Sequence, residues 1–234
     1  MQQIHPLQLQ LLRKLLFSPK LRYTDLKPLP DLENNQLSFH LNKLVEHGWV
    51  IKEDNFYLLS ATGKEYANRM DTDAVKIKPQ AKISVIPCTM RVIDGKVEYL
   101  IYTRLKHPFY GNQGFPSGKL AYGESLQDGV KRELLEETGL STTAEPQLFK
   151  IRHYLVHSEA KQLLEDKIMF MFKIVNPSGE LQANEEGKHE WVAADQVKNY
   201  LIRPWNDVLE ILEALADYDG QVEFKEMVEY TSEF

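Results

Sequence analysis

The clearest periodic signal in the chain runs from Ser125 to Thr138, where Leu126, Val130 and Leu134 recur at i, i+4 and i+8. That spacing predicts a helix whose single apolar stripe packs on a sheet. Ser125, with Asp128 three residues on, is a short variant of the capping box, and Gly139 suits the left-handed position that ends a helix. On either side the pattern alternates instead. Ile83 to Met90 and Val97 to Arg104, joined by Asp94-Gly95, predict a β-hairpin; further strands are expected at Leu148 to Val156, Ile168 to Val175 and His189 to Ala193. A last helix is expected from about Trp205 to Tyr218, with Val208, Leu209, Leu212 and Leu215 on one face. Together these elements predict an α/β domain with a mixed sheet between helices.

The first seventy residues follow another pattern. Helices are expected at roughly Pro6 to Phe17, Tyr23 to Lys27 and Glu33 to His47, then a hairpin of Trp49-Val50-Ile51-Lys52 and Phe56-Tyr57-Leu58-Leu59, then a helix starting at Thr62. This order, with the segment Gln36 to Val50, resembles a small α+β winged helix-turn-helix domain. Between Arg69 and Ile83 the periodicity lapses through Asp71-Thr72-Asp73 and Pro79. The expected division is therefore residues 1–73, a linker at 74–82, and a second domain at 83–234.

The chemistry concentrates in Gly118 to Leu140, GKLAYGESLQDGVKRELLEETGL. Glu133, Glu136 and Glu137, at i, i+3 and i+4, share one helix face, where each like-charged i,i+4 pair costs about 0.2–0.5 kcal/mol. A solvated acidic face is the usual meaning of such a run. Here Gly118, Glu124, Arg132 and Gly139 stand at fixed offsets around it, and the whole segment resembles the signature of the Nudix hydrolases with no motif position departing. Hard oxygen ligands of this kind suit Mg²⁺, with Mn²⁺ as the substitute.

The resemblance implies an α/β/α sandwich and hydrolysis of the pyrophosphate in a nucleoside diphosphate linked to another moiety. It implies Glu133, Glu136 and Glu137 as metal ligands with the Ser117 carbonyl, and Arg132 orienting the carboxylates. Many members have two glycines where this chain has Ser117 and Gly118, a difference that bears on fine geometry. The general base is either a box glutamate such as Glu136 or Glu137, or one on a downstream loop, where Glu185 and Glu186 are the candidates and Glu186 is preferred. Arg104 and Lys119 are candidates for holding a substrate phosphate, and Phe109, Tyr110 and Tyr154 for stacking on a base.

Composition narrows the remaining classes. With 43% hydrophobic and 26% charged residues the chain is ordinary for a soluble globular protein, and no apolar run reaches the eighteen or so residues that span a bilayer. No signal peptide is read, and a cytoplasmic location is expected. The single cysteine, Cys88, excludes an intramolecular disulfide. Net charge is −6 but uneven: residues 1–78 hold 11 Lys+Arg against 9 Asp+Glu, a net +2, and the rest hold 17 against 25, a net −8. Gln36, Ser38, Phe39, His40 and Lys43 are the residues expected to face DNA, yet Lys43 is the only permanent cation on that helix and Lys52 stands beside Glu53 and Asp54. The front domain thus reads equally as a DNA-binding or a protein-interaction module, and both domain types are compatible with a homodimer. The leading expectation is a Mg²⁺-dependent nucleotide pyrophosphohydrolase; the alternative is a nucleotide-sensing transcription regulator.

Overall fold

A computed structural model describes residues 4–28, 32–182 and 184–232. The chain divides into two compact units, Met1–Pro79 and Gln80–Phe234. Among the described residues no helix is long and apolar enough to cross a membrane.

The first unit comprises α1 (Pro6–Leu16), β1 (Leu21–Arg22), α2 (Tyr23–Leu26), α3 (Asn34–Glu46), β2 (Val50–Glu53), β3 (Phe56–Leu59), α4 (Ala61–Asn68), β4 (Met70–Asp71) and β5 (Lys76–Ile77). The order of helices and hairpin is the one the sequence predicts. Leu37, Leu41 and Leu44 of α3 are fully buried against Leu11, Leu12 and Leu15 of α1, since residues three and four apart share a helix face. Strands β1, β3 and β2 form a three-stranded antiparallel sheet. The stretch expected as a linker, 74–82, is partly ordered: Lys76–Ile77 pairs with Met70–Asp71. The Asp71 carboxylate accepts from the Asp73 and Ala74 amides and so makes a turn of residues whose composition suggested a loop.

Two residues expected to face DNA are half-buried and have partners within the first unit. The Ser38 hydroxyl pairs with the Tyr23 hydroxyl at 2.8 Å, and the His40 ring stacks on His5 with centroids 4.1 Å apart. An α-helix turns about 100° per residue, so positions 38 and 40 fall on the two flanks of the stripe formed by Leu37, Leu41 and Leu44. The exposed residues of α3 are Asn34, Asn35, Gln36, Phe39, Asn42, Val45 and Glu46; Lys43 is half-buried and pairs with Glu46 at 2.6 Å.

The second unit comprises β6 (Lys82–Ile93), β7 (Lys96–Arg104), β8 (Gln113–Gly114), β9 (Gly118–Lys119), α5 (Leu126–Thr138), β10 (Leu140–Ser141), β11 (Gln147–Ser158), β12 (Leu163–Val175), β13 (Ser178–Gly179), β14 (Gly187–Ala193), α6 (Val197–Tyr200), α7 (Val208–Ala216) and β15 (Glu223–Thr231). Its main sheet runs β14-β7-β6-β12-β11-β15 and is mixed: β6 pairs parallel with β12 and β11 parallel with β15, the other neighbours antiparallel. Asp94 and Gly95 both have positive φ, 49° and 77°, as the two-residue turn between β6 and β7 requires.

Successive strand residues point to opposite faces, so the sheet builds two cores. Ile86, Cys88, Tyr99, Ile101 and Met171 face α7 through Val208, Ile211, Leu212 and Leu215. Val85, Leu100, Phe172 and Ile174 face Val130 and Leu134 of α5. Each of those two α5 side chains is fully buried, contributing about 1.5–3 kcal/mol. The result is the helix–sheet–helix sandwich expected. Burial raises the Cys88 thiol pKa well above its ordinary value, which suits an inert packing role.

His189 on β14 is buried beside the Tyr102 ring with both ring nitrogens lacking a hydrogen-bond partner, and burial lowers its pKa to about 4. The native state therefore holds this ring neutral where an unfolded chain, with an ordinary histidine near 6.5, takes up a proton. Stability is fully present above about pH 6.5 and falls as pH drops from there to about 4, by at most on the order of 3 kcal/mol. His189→Phe is expected to flatten that acid limb in urea titrations at pH 7 and pH 5; an unchanged pH dependence would assign the limb to other groups.

Candidate active site

Helix α5 carries the glutamates and its ends are fixed locally. The Ser125 hydroxyl accepts from the Asp128 amide at 3.1 Å, and Gly139 takes the left-handed conformation with φ 74°. The helix thereby enters the sheet with Val130 and Leu134 inward and Glu133, Glu136 and Glu137 toward a cavity of about 570 Å³. Glu133 packs on the backbone of Gly118, where an added Cβ would lie 1.7 Å from its carboxylate. Only a glycine admits the carboxylate there. Because the colliding group is the end of a flexible side chain, Gly118→Ala is expected to fold with a loss under about 1 kcal/mol while displacing Glu133. Activity should fall about a hundredfold, the size of effect that a misplacement of about 1 Å has at a reacting centre; turnover and urea midpoint measured together check both halves.

Arg132 lies behind these carboxylates and ties them together. Its Nε and Nη2 donate to the two oxygens of Glu124 at 2.7 and 2.9 Å, its Nη1 to Glu133 at 2.7 Å and Glu136 at 2.8 Å, and Nη2 also to the Lys119 carbonyl at 3.0 Å. Such a bidentate fork fixes geometry as well as charge. Arg132, with the Ala121 amide, holds the Glu124 pKa down to about 2. Glu133 moves the other way, its pKa raised by burial against the opposing pull of Arg132.

A loop closes the cavity from the far side. The Asn184 amide nitrogen donates to the Glu137 carboxylate at 3.0 Å and to its carbonyl at 3.1 Å, while the Asn184 side-chain oxygen accepts from the Glu186 and Gly187 amides. The Tyr102 hydroxyl donates to the Glu186 carbonyl at 2.9 Å, and Lys106 pairs with the Glu186 carboxylate. Glu186 therefore faces the helix glutamates from a tethered position.

Of the residues expected from sequence, Arg104, Ser117, Lys119, Glu133, Glu136, Glu137, Tyr154 and Glu186 all line this one cavity. Arg132 acts from behind it, and Glu185 does not line it. The Tyr154 hydroxyl donates to the buried Asp207; burial and that carboxylate raise the Tyr154 pKa. Sequence reasoning missed Lys82, Lys106 and Lys167, which add positive charge, and Tyr102, Trp205, Asp207 and Glu229. Burial lowers the Lys167 pKa and raises that of Glu229, each disfavouring the charged form. No local motif marks these residues, since strands far apart in sequence bring them together. Asn184 was legible only as a neighbour of Glu185 and Glu186.

The donors suit a hard divalent cation: carboxylate oxygens from one helix face and a backbone carbonyl at Ser117, with no sulfur or imidazole among them. In the arrangement described, Glu133 and Glu136 each give an oxygen to Arg132, and no three acidic, imidazole or thiol groups among the described residues converge as a closed cage.

The NUDIX domain family model matches residues 85–212. The chain is 31% identical over 101 residues to the uncharacterized Nudix hydrolase YvcI of Bacillus subtilis, a match covering 43% of this chain and 63% of that protein. It is 35% identical over 80 residues to the mouse oxidized purine nucleoside triphosphate hydrolase, covering 34% of this chain and 48% of that one. The matches thus span less than two thirds of either relative. The NUDIX domain of Shewanella oneidensis NrtR, solved with ADP ribose, superposes with a TM-score of 0.52 at 18% identity over 68% of this chain and 98% of that one, which shows a shared fold. The family match spans more than half of the chain, from β6 through α7, and encloses the glutamate helix: the chain belongs to the NUDIX domain family.

Proposed function

We propose that this chain hydrolyses the pyrophosphate bond of a nucleoside diphosphate derivative with the help of Mg²⁺. One observation carries the reading: three glutamates of α5, Glu186 from a tethered loop, and the cations Arg104, Lys106 and Lys119 line one cavity. Phosphoryl chemistry asks the protein mainly for positioning and charge. Glu133, Glu136, Glu137 and the Ser117 carbonyl would hold the cation, which when bound supplies charge neutralisation on phosphate oxygens and an activated water. Arg132 aims Glu133 and Glu136 through its hydrogen bonds to both. Arg104 and Lys119 bind phosphate oxygens, and Glu186 or a helix glutamate accepts the proton of the attacking water. The part of the cavity lined by Tyr154, Trp205 and Asp207 takes the nucleoside.

The test is a product screen of the full chain with Mg²⁺ against ADP-ribose, NADH, nucleotide sugars, diadenosine polyphosphates and oxidised dNTPs. Turnover of one class names the substrate; tight binding of a nucleotide without turnover removes the hydrolytic reading.

A second reading is a nucleotide-sensing regulator that binds DNA through the first unit. It is favoured by the exposed amides of Asn35, Gln36 and Asn42 on α3, side chains suited to base edges. The pairing of Lys43 with Glu46 weighs against it, because phosphate neutralisation supplies most of the non-specific affinity. Salt-dependent DNA binding that ADP-ribose reverses would put this reading first.

A further inference from the structure

We propose that the shallow cavity bounded by His107, Phe109, Tyr110 and Arg203 is a second aromatic subsite, so that the preferred substrate carries a planar heterocycle at each end of its pyrophosphate. This rests on the reading of the main cavity as the hydrolytic site. The shallow cavity is about 460 Å³, and Phe109 lines both it and the main one, so the two meet at that ring. Arg104 joins them a second time: it lines the main cavity, while its Nε donates to the Pro108 carbonyl at 2.6 Å and its Nη2 to the His107 carbonyl at 3.3 Å. A phosphate held by Arg104 therefore lies next to the loop that carries the rings.

The platform is fixed from both sides. The Gly111 amide donates to the Arg104 carbonyl at 2.7 Å and the Asn112 amide to the Phe109 carbonyl at 3.2 Å. Opposite, the Gln113 side-chain oxygen accepts from the Ile202 and Arg203 amides, and the Gln113 amide donates to the Arg203 carbonyl at 2.8 Å. Tyr110 stays 50% exposed, its ring 5.7 Å from that of His107, so these rings are held at the surface and contribute little to the core. Aromatic rings opposite a guanidinium suit a flat heterocycle, which stacks on either. Aromatic rings line the main cavity as well, those of Tyr102, Phe115 and Trp205. One ring at each end, with phosphates between, matches a dinucleotide better than a nucleotide sugar or a triphosphate.

The test compares ligands that differ in one ring. ADP-ribose lacks only the second heterocycle of NADH and of diadenosine diphosphate. With the full chain and Mg²⁺, kcat/KM for at least one of the two dinucleotides should exceed that for ADP-ribose by about tenfold, the size of one base stack. Tyr110→Ala should bring that ratio close to one and Tyr110→Phe should restore it. Calorimetric binding of the same ligands in EDTA separates the two ideas. A ring-dependent affinity that Tyr110→Ala removes, without turnover of any ligand, keeps the subsite and discards the hydrolytic reading. Turnover with no preference for either dinucleotide, or a preference that Tyr110→Ala leaves intact, overturns the subsite.

Discussion

Glu136→Gln and Glu137→Gln are each expected to lower turnover by on the order of a thousandfold, about 4 kcal/mol of transition-state stabilisation. The exchange keeps shape and removes the charge that would hold the cation. The fold does not depend on these groups: α5 is anchored by Val130 and Leu134 and by its caps, and the Glu136 side chain is 59% exposed. Stability should therefore change by less than about 0.5 kcal/mol, the worth of the exposed Arg132–Glu136 pair. Glu186→Gln should cost about a hundredfold if that residue accepts the proton, whereas Glu185→Gln, outside the cavity lining, should be near neutral. Product assays at saturating Mg²⁺, alongside urea denaturation, read both quantities. Near-normal turnover in Glu136→Gln and Glu137→Gln together would remove the proposed chemistry.

The largest stability loss is expected from Arg152→Leu. Arg152 and Lys150 project from β11 with side chains almost wholly buried. Arg152 Nη2 lies 2.5 Å from Glu210 and 3.1 Å from Glu223, and its Nε is 3.7 Å from Asp207. Lys150 reaches the same Glu210 and Glu223 at 3.0 and 2.9 Å. Two buried cations thus tie α7 and the edge strand β15 to the neighbouring strand β11. Losing Arg152 leaves the buried Asp207 without its cation while Glu210 and Glu223, each about half exposed, keep Lys150, so the expected cost is at the low end of the about 3–5 kcal/mol typical of a broken buried pair. The shift in urea midpoint at constant m reads it. Because Asp207 also accepts from Tyr154 in the cavity, the same variant should raise KM for the nucleotide. A stability loss under about 1 kcal/mol would mean that the exposed parts of Glu210 and Glu223 are already solvated and the network contributes little.

Much of this was legible without coordinates. The stripe of Leu126, Val130 and Leu134 with Ser125 and Gly139 at its ends specified α5 to within a residue, because helix periodicity and caps are local. The Asp94-Gly95 turn likewise placed the first hairpin. The edge strand β15 went unread although Phe224, Glu226, Val228 and Tyr230 alternate with Lys225, Met227 and Glu229. Three of its four outward positions are exposed apolar residues and the inner ones are largely charged, the reverse of the usual half-buried strand, so polarity gave no inward face.

Residues within about twenty positions of one another specify the helix that carries Glu133, Glu136 and Glu137, the Gly118 on which Glu133 rests, and the signature of the NUDIX domain family, so all three could be read from the chain before it folds. Tertiary structure alone decided which strand residues join them. Lys82, Lys106, Lys167, Asp207 and Glu229 meet in one cavity only because β7, β6, β12, β11 and β15 lie side by side and α7 packs on their inner face. It also gave Ser38 and His40 of α3 their partners Tyr23 and His5, leaving both half-buried at the edge of the exposed face. Helical periodicity marks the middle of a buried stripe well and its flanks poorly, because a flanking residue points wherever the neighbouring element leaves a partner.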